Sequence, residues 1–371
     1  MATATDAHLQ VPADRPSGGW HAGGCAIELL EDLARLEALA DEIDDLQARS
    51  GAPASARWAA VHAGMLHDRR ARPWCVVVRR GSDIVATALA VARLRLGAWA
   101  IRGATHPHEP GWLAALDEEA SRELAAAIAS SLRGLHRPWR LAWHHLPADD
   151  RTLAALRDEL SLSSVLASGE DARLDCDSVD DVAGGLSRNT RSVVARARRR
   201  IGAAGLSCEI AWTRDAARIA ALLDEVVDVH RRRNRQLRGA AGLDDADQRA
   251  LFVETVLAHA ETGRARLQTL RLDGLLAAFA ICFESAGVLH VYANMASPDW
   301  LQFSPGTIAN AEVVRAASDD PALLAVDWGL GLQRYKLSGP HVQVRQVVDL
   351  WAWSSLVGRL AWALGDRLGA R

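Results

Sequence analysis

Lysine is nearly missing. Of the 43 Lys and Arg residues in this 371-residue chain, Lys336 is the one lysine and every other cation is arginine. A compact ammonium with a tunable pKa differs in kind from a guanidinium fork, so the position that keeps lysine stands out for gripping a phosphate or steering a proton, against the plainer reading of a surface residue. Tyrosine is scarce too, at two residues, Tyr292 and Tyr335. The five cysteines, Cys25, Cys75, Cys176, Cys208 and Cys282, form no CxxC or CxxH pattern. That excludes a structural zinc site and predicts reduced, mostly buried thiols in a cytoplasmic protein. No run of 18 apolar residues occurs, so no segment is expected to span a membrane. Residues 1–24 lack the apolar core of a signal peptide and read as a disordered tail. A net charge of −3 makes no global case for nucleic-acid binding.

What is present is the composition of a globular chain, 49% hydrophobic and 24% charged, long enough for two domains. Apolar spacing predicts helices over 27–47 and 56–66, a strand over 74–81 and a hairpin over 83–96. A helix over 118–132, a strand over 139–146 and a helix over 150–160 follow. Residues 163–187 turn rich in Ser, Gly and Asp, with one short strand candidate at 172–176, and the domain boundary is placed there, giving domains over 25–165 and 166–371. The order then repeats. A basic helix over 187–201 leads to a strand (206–212), helices (215–232 and 244–261), three strands with short turns (265–272, 275–283 and 288–296), a helix (306–317) and a strand (323–328). Residues 342–350 and an apolar helical tail, 351–368, close the chain. Helix, helix, antiparallel strands, helix, strand, helix occurs twice, which predicts two copies of one α/β (α+β) fold, each a mixed, largely antiparallel sheet flanked by helices.

Three stretches carry the chemistry. Ser304-Pro-Gly306 before the helix offers Ser304 as N-cap and Pro305 as first helical residue, and the unpaired N–H groups at Gly306 and Thr307 suit a phosphate. The acid-free basic helix presents Arg188, Arg191, Arg196, Arg198, Arg199 and Arg200, either a solvated face or the seat of an anion such as CoA phosphates, a nucleotide-linked sugar or a tRNA acceptor stem. The third stretch is Asp327-Trp-Gly-Leu-Gly331, with Tyr335-Lys336 shortly after it. His106, His108, His144 and His145 could suggest a metal, but adjacent histidines on a strand point to opposite faces, and they read as structural or surface residues, so no metal is expected.

Ser187–Arg200, Phe303–Gly306 and Asp327–Lys336 together resemble the GNAT acyltransferase superfamily, in particular a CelD-type, cellulose-biosynthesis branch related to Fem-type peptidyltransferases. The resemblance covers roughly residues 180 to 345, and the N-terminal half is similar to a degenerate first GNAT-like domain. It implies an acyl-CoA site, for acetyl-CoA or another acyl-CoA, with the pyrophosphate near Gly306 and Thr307. The Gly-rich phosphate loop usual in the superfamily is echoed here by Gln302 and Gly306 alone, at different spacing.

An amine attacking a thioester must lose a proton. Candidates to take it are Glu284, His290, Tyr292, Asp299 and Asp327, and Tyr292 or Tyr335 could protonate the leaving thiolate. The expected catalytic residues are thus Asp327, Tyr335, Lys336, Glu284 and Tyr292, with Ser304, Gly306, Thr307 and Arg191 at the cofactor. Lys336, in a loop with no evident means of lowering its pKa, is expected to anchor an anion together with Arg191. The expected activity is acyl transfer to an amine of a sugar or small metabolite. The alternatives are a Fem-like enzyme using aminoacyl-tRNA and a non-catalytic binding module.

Overall fold

The structure, a computed structural model, describes residues 20–359 apart from 23, 69, 96, 106–108, 177–185, 338–340, 357 and 358. In chain order, β1 (Trp20–Ala22) and β2 (Cys25–Leu30) precede α1 (Leu33–Glu37), α2 (Ala40–Arg49) and α3 (Trp58–His67). Then come β3 (Arg72–Pro73), β4 (Cys75–Arg80), β5 (Asp83–Ala88), β6 (Ala90–Arg95), β7 (Ala98–Gly103) and β8 (Ala114–Ala115). The first half closes with α4 (Glu118–Arg133), β9 (Trp139–Pro147), α5 (Arg151–Glu159) and β10 (Ser163–Asp175). The second half opens with α6 (Arg188–Ala203), β11 (Cys208–Thr213), α7 (Ala216–Arg238) and α8 (Ala246–Glu261). It continues through β12 (Ala265–Leu272), β13 (Leu275–Ser285), β14 (Val288–Ala296), α9 (Pro305–Ser318), β15 (Ala325–Leu330) and β16 (Val342–Trp353).

The strands make a five-stranded sheet, β1-β2-β4-β5-β8, and an eleven-stranded sheet, β11-β12-β13-β14-β15-β10-β16-β9-β7-β6-β3. This is a mixed α/β fold whose sheets are largely antiparallel. Two pairs among the described residues are parallel, β14 with β15 and β7 with β9, one in each half. Between them the final strands have changed places: β10, which follows α5, lies against β15, and β16, which follows β15, lies against β9.

Local chemistry explains the meander. Asp273-Gly274 and Ala286-Gly287 both turn with two successive positive φ values (47° and 77°, 49° and 73°), the twist-matched geometry of two-residue hairpins. Along β13 large and small side chains alternate. Phe279, Ile281 and Phe283 pack with Val226 and Val256 on the α7–α8 side. Ala278 meets Ile308, while Ala280 and Cys282 meet Val313 and Val314, on the α9 side. A sheet covered on both faces loses the polar alternation of a one-sided strand and reads as a continuous apolar run.

Several expectations change. The helix predicted over 27–47 begins as strand β2, and Asp32 caps a fresh helix by accepting from the Ala34 N–H. Part of the predicted tail, Trp20–Ala22, is a strand, and residues 1–19 lie outside the described residues. The presumed boundary stretch is largely the 13-residue strand β10, with pairing partners on both sides. Trp351 and Trp353 belong to strand β16 and not to a helix, and residues 360–371 lie outside the described set. All five cysteines are free thiols, four buried and Cys208 exposed. No described helix is long and apolar enough to cross a membrane.

Candidate active site

Strands β14 and β15 pair for three residues, Val288 with Ala325, Leu289 with Val326 and His290 with Asp327, and pairing stops there. Beyond His290, β14 continues to Ala296 with no strand partner on that side among the described residues, and Gly306 at the start of α9 comes so close that a Cβ would sit 3.3 Å from that of Ala296. The wedge between the strands therefore runs from the His290–Asp327 pair to a helix N-terminus. Ser304 precedes that helix in the left-handed region (φ 54°) and makes no side-chain cap, contrary to its expected role. Its hydroxyl instead accepts from the Arg200 guanidinium at 3.1 Å. The Thr307 N–H bonds back to the Ser304 carbonyl at 3.1 Å, Pro305 has no N–H, and the first turn holds no acid. What remains is the Gly306 N–H beside a guanidinium, an anion-attracting arrangement. Arg191 does not supply that charge. It donates to the Leu186 carbonyl at 3.2 Å, and the nine residues separating it from Arg200 amount to about 13.5 Å of helix.

The first half has the same parallel pair and no such opening. A Cβ on Gly103, where β7 ends, would lie 2.8 Å from the indole nitrogen of Trp143, so that buried ring fills the gap. Helix α4 is capped by Asp117 and starts with Glu118 and Glu119, which repel a phosphate.

At the apex of the wedge Asp327 is buried. Burial works against its charge, but the His290 imidazole (Nδ1 to Oδ2, 3.6 Å), the Arg345 guanidinium (2.7 Å) and the Gly329 N–H (2.8 Å) outweigh it and hold the carboxyl well below the usual range. Arg345 also forks onto Asp171 at 2.8 and 2.6 Å. A carboxylate held this way orients its neighbours and is a poor base.

Lys336 is buried as well, at 5% exposure. Its ammonium donates to the Gly329 and Leu330 carbonyls at 3.0 and 2.6 Å. Burial lowers its pKa to about 8, with Asp327, Glu109 and Asp171 pulling the other way. The expectation that a loop lysine has no means of lowering its pKa is thus overturned, and so is the alternative of an ordinary surface lysine.

Tyr335 rests edge-on against Trp328, with its hydroxyl 3.4 Å from Asn294 Oδ1 in the wedge, and burial raises its pKa. Tyr292 is stacked between Phe252 and Phe283; burial and then the charge of Glu109 push its phenol up, while a hydrogen bond with Thr255 opposes them. Glu284 is drawn away from the apex by Arg266 and by Arg214 at 2.9 Å, and Asp299 pairs with Arg232 at 2.5 Å on the surface. Of the expected residues, Asp327, Lys336, Tyr335 and Tyr292 gather around the wedge, while Glu284, Asp299 and Arg191 do not.

The structure adds one residue that sequence reasoning missed. A narrow cleft with a volume of about 20 Å³ lies beside the apex, lined by Phe283, His290, Tyr292, Asp327 and Gly329 from the second half and by Ser55, Glu109 and Pro110 from the first. Burial, then repulsion from Asp327, raises the Glu109 carboxyl to about 8 despite Lys336. Nothing in the local run Glu109-Pro-Gly111 signals this, because the groups that desolvate Glu109 lie some 180 residues away in sequence.

The other histidines do not behave as alternation predicts. His145 takes a left-handed φ of 54°, its N–H bonds Asp349 Oδ1 at 3.0 Å, and the His144 ring meets the other oxygen of Asp349 at 3.0 Å, so both serve one carboxylate. His106 and His108 lie outside the described residues. No group of three or more potential metal ligands occurs among the described residues.

Residues 188–337 match the model of a family described as an acetyltransferase (GNAT) domain. This stretch has the GNAT acetyltransferase-type fold. Among solved structures, a conserved protein of unknown function from Bacteroides thetaiotaomicron VPI-5482 aligns with a TM-score of 0.58 at 12% identity, over 88% of this chain and 99% of that one. A C-terminal domain (DUF2156) assigned to a lysylphosphatidylglycerol synthetase from Agrobacterium fabrum gives 0.56 at 15% identity, over 88% and 95%. FemX gives 0.56 at 10% identity, over 78% and 90%. At these identities the likeness is one of fold. No curated protein matches the sequence. The GNAT match spans the wedge, α9 and Tyr335 with Lys336, so the features built up above fall inside it.

Proposed function

We propose that the chain is a cytoplasmic acyl-CoA-dependent N-acyltransferase in which the second half carries the acyl-CoA site and the first half is a degenerate copy. The single observation that carries this reading is the parting of β14 and β15 after His290 and Asp327, with an acid-free helix start at the far end. Arg200 and the Gly306 N–H would hold the pyrophosphate of acetyl-CoA or a longer acyl-CoA. From Ala296 back to Val291 is five residues, about 16 Å of strand, a length an extended pantetheine arm would follow. The unpaired N–H groups of β14 would then face the thioester oxygen and stabilise the oxyanion as it develops.

Attack by an amine forms the C–N bond and breaks the C–S bond. Tyr335, which reaches Asn294 inside the wedge, would give its proton to the departing thiolate, while Asp327 orients His290. Tyr292, held by stacking, and Glu284, held by two arginines, take no proton in this scheme. Lys336 would fix the Gly329–Leu330 rim. The acceptor would be a sugar or small metabolite bearing an amine. Titration calorimetry with acetyl-CoA and longer acyl-CoAs tests the reading directly, and an absence of heat with all of them sinks it.

A second reading, transfer from aminoacyl-tRNA, is favoured by one observation. Arg188, Arg196 and Arg199 are exposed on α6 without an ion pair among the described residues. It requires tRNA retention at low salt that falls steeply as salt is added.

A further inference from the structure

Resting on the acyltransferase reading, we propose that Glu109 takes the proton from a primary-amine acceptor whose nitrogen reaches the cleft between the two halves, so that the active site is complete only across their interface. The carboxyl groups near the apex differ in one respect. Asp327 is held by His290, Arg345 and the Gly329 N–H, Asp171 is forked by Arg345, and Glu284 has left for Arg266 and Arg214. Glu109 lines the cleft with His290, Tyr292 and Asp327, and no hydrogen bond or ion pair among the described residues engages it. The charged and titratable groups that face it are Asp327, Lys336, Tyr292 and His290. Its carboxyl is raised to about 8, close to the working pH a general base needs.

The backbone that carries Glu109 is pinned from two directions. Ser55 Oγ donates to the Pro110 carbonyl at 3.0 Å, and the Gly111 N–H donates to the His145 carbonyl at 3.2 Å. Position 111 admits only glycine, since a Cβ there would lie 2.3 Å from the His144 carbonyl oxygen. The left-handed turn at His145 and a register shift in β16 between Val348 and Leu350, opposite β9, place that carbonyl. Irregularities of this kind recur where a strand must re-aim a group. Together these contacts fix the segment 109–111 between Ser55 and β9, where Glu109 lines the cleft shared with His290, Tyr292 and Asp327.

The step balances as follows. An R–NH3⁺ acceptor gives one proton to the Glu109 carboxylate, and the freed lone pair forms the C–N bond while the C–S bond breaks. The nitrogen loses its second proton to solvent, Tyr335 protonates the thiolate and is reprotonated from solvent, and protonated Glu109 releases its proton, a net of one per turnover.

The test uses the full chain with acetyl-CoA and four primary amines as probes (ethanolamine, putrescine, glucosamine and glycine), following thiol release from pH 6 to 10 in wild type, Glu109→Gln and Glu109→Asp. The expected result is a wild-type kcat/KM that climbs about tenfold per pH unit and levels off near pH 8. Glu109→Gln should fall about 10²- to 10⁴-fold and lose that rise, with acetyl-CoA affinity by calorimetry within twofold, while Glu109→Asp keeps the rise at a lower rate. Glu109→Gln within threefold of wild type with the same pH profile overturns the proposal and leaves the acyltransferase reading standing. Wild type that binds acetyl-CoA but accepts none of the amines also overturns it. Wild type that binds no acetyl-CoA removes both. Should Glu109→Gln fail to bind acetyl-CoA, Glu109→Asp decides: loss of the pH rise in that variant overturns the assignment.

Discussion

Two residues at the apex are held in protonation states that cost stability. The Glu109 carboxyl titrates near 8 against an ordinary 4.5. Between those values the folded chain keeps a proton that the unfolded chain releases, so stability falls as pH rises through that window. Glu109→Gln removes the penalty, and its urea midpoint at pH 8 should exceed that of wild type, with a ceiling on the order of 4 kcal/mol at 1.36 kcal/mol per unit that solvent access reduces to about 1–2. Lys336 has the opposite linkage. Its pKa is depressed from 10.5 to about 8, so the unfolded chain binds the extra proton and stability rises with pH across that range. Lys336→Ala strips the Gly329 and Leu330 carbonyls of their donor and should cost about 1–3 kcal/mol in denaturant unfolding at pH 7. A variant as stable as wild type would show that these two hydrogen bonds make no net contribution to stability. Composition singled Lys336 out, but its environment was illegible, because the carboxyls whose charges act on it, Asp327, Glu109 and Asp171, come from three distant segments.

For the elements, the meander and the helix that follows it were readable because their signals are local. Asp273-Gly274 and Ala286-Gly287 carry their own turn chemistry, and Pro305 begins α9 where it was expected. The readings that failed had no such signal. Trp351 and Trp353 lie two apart along β16, a spacing that a short apolar run cannot assign between helix and strand. The cap at Ser304 failed because Arg200, from another helix, took its hydroxyl. That exchange gives a prediction for the α9 terminus. Arg200→Ala should raise the KM for acyl-CoA about tenfold, the loss of one charge-assisted contact of roughly 1.4 kcal/mol, and leave kcat within about twofold. Gly306→Val, by crowding Ala296, should weaken acyl-CoA binding at least as much. Arg191→Ala, two and a half turns away, should change neither constant. Steady-state kinetics, with calorimetry for acyl-CoA affinity, on the three variants separates these outcomes.

Across the whole molecule the halves are joined by more than a linker. Asp44 from α2 receives Arg57 at 2.8 and 2.5 Å, and it also receives Arg264 from the second half. The Ser285 hydroxyl, from β13, donates to the Ala52 carbonyl at 2.8 Å. Burial opposes the charge of Asp44, yet the two guanidinium groups lower its pKa, so this contribution is present at neutral pH and lost as pH falls through the acid range. Asp44→Ala leaves the buried Arg57 uncompensated and should cost about 3–5 kcal/mol, seen as a lower Tm for a single transition involving both halves. None of this partnership, nor the crossing of β10 and β16, could be read from the sequence, since strand composition states that a segment pairs and not with what. The crossing carries a consequence for the order of events during synthesis. The free edge of β9 is completed by β16, whose last residue follows Pro147 by about 200 positions. At ribosomal rates of about 5–20 residues per second, that edge waits roughly 10–40 seconds for its neighbour. During that interval the nascent first half carries an unpaired strand, and chaperone occupancy on the ribosome should be greatest there.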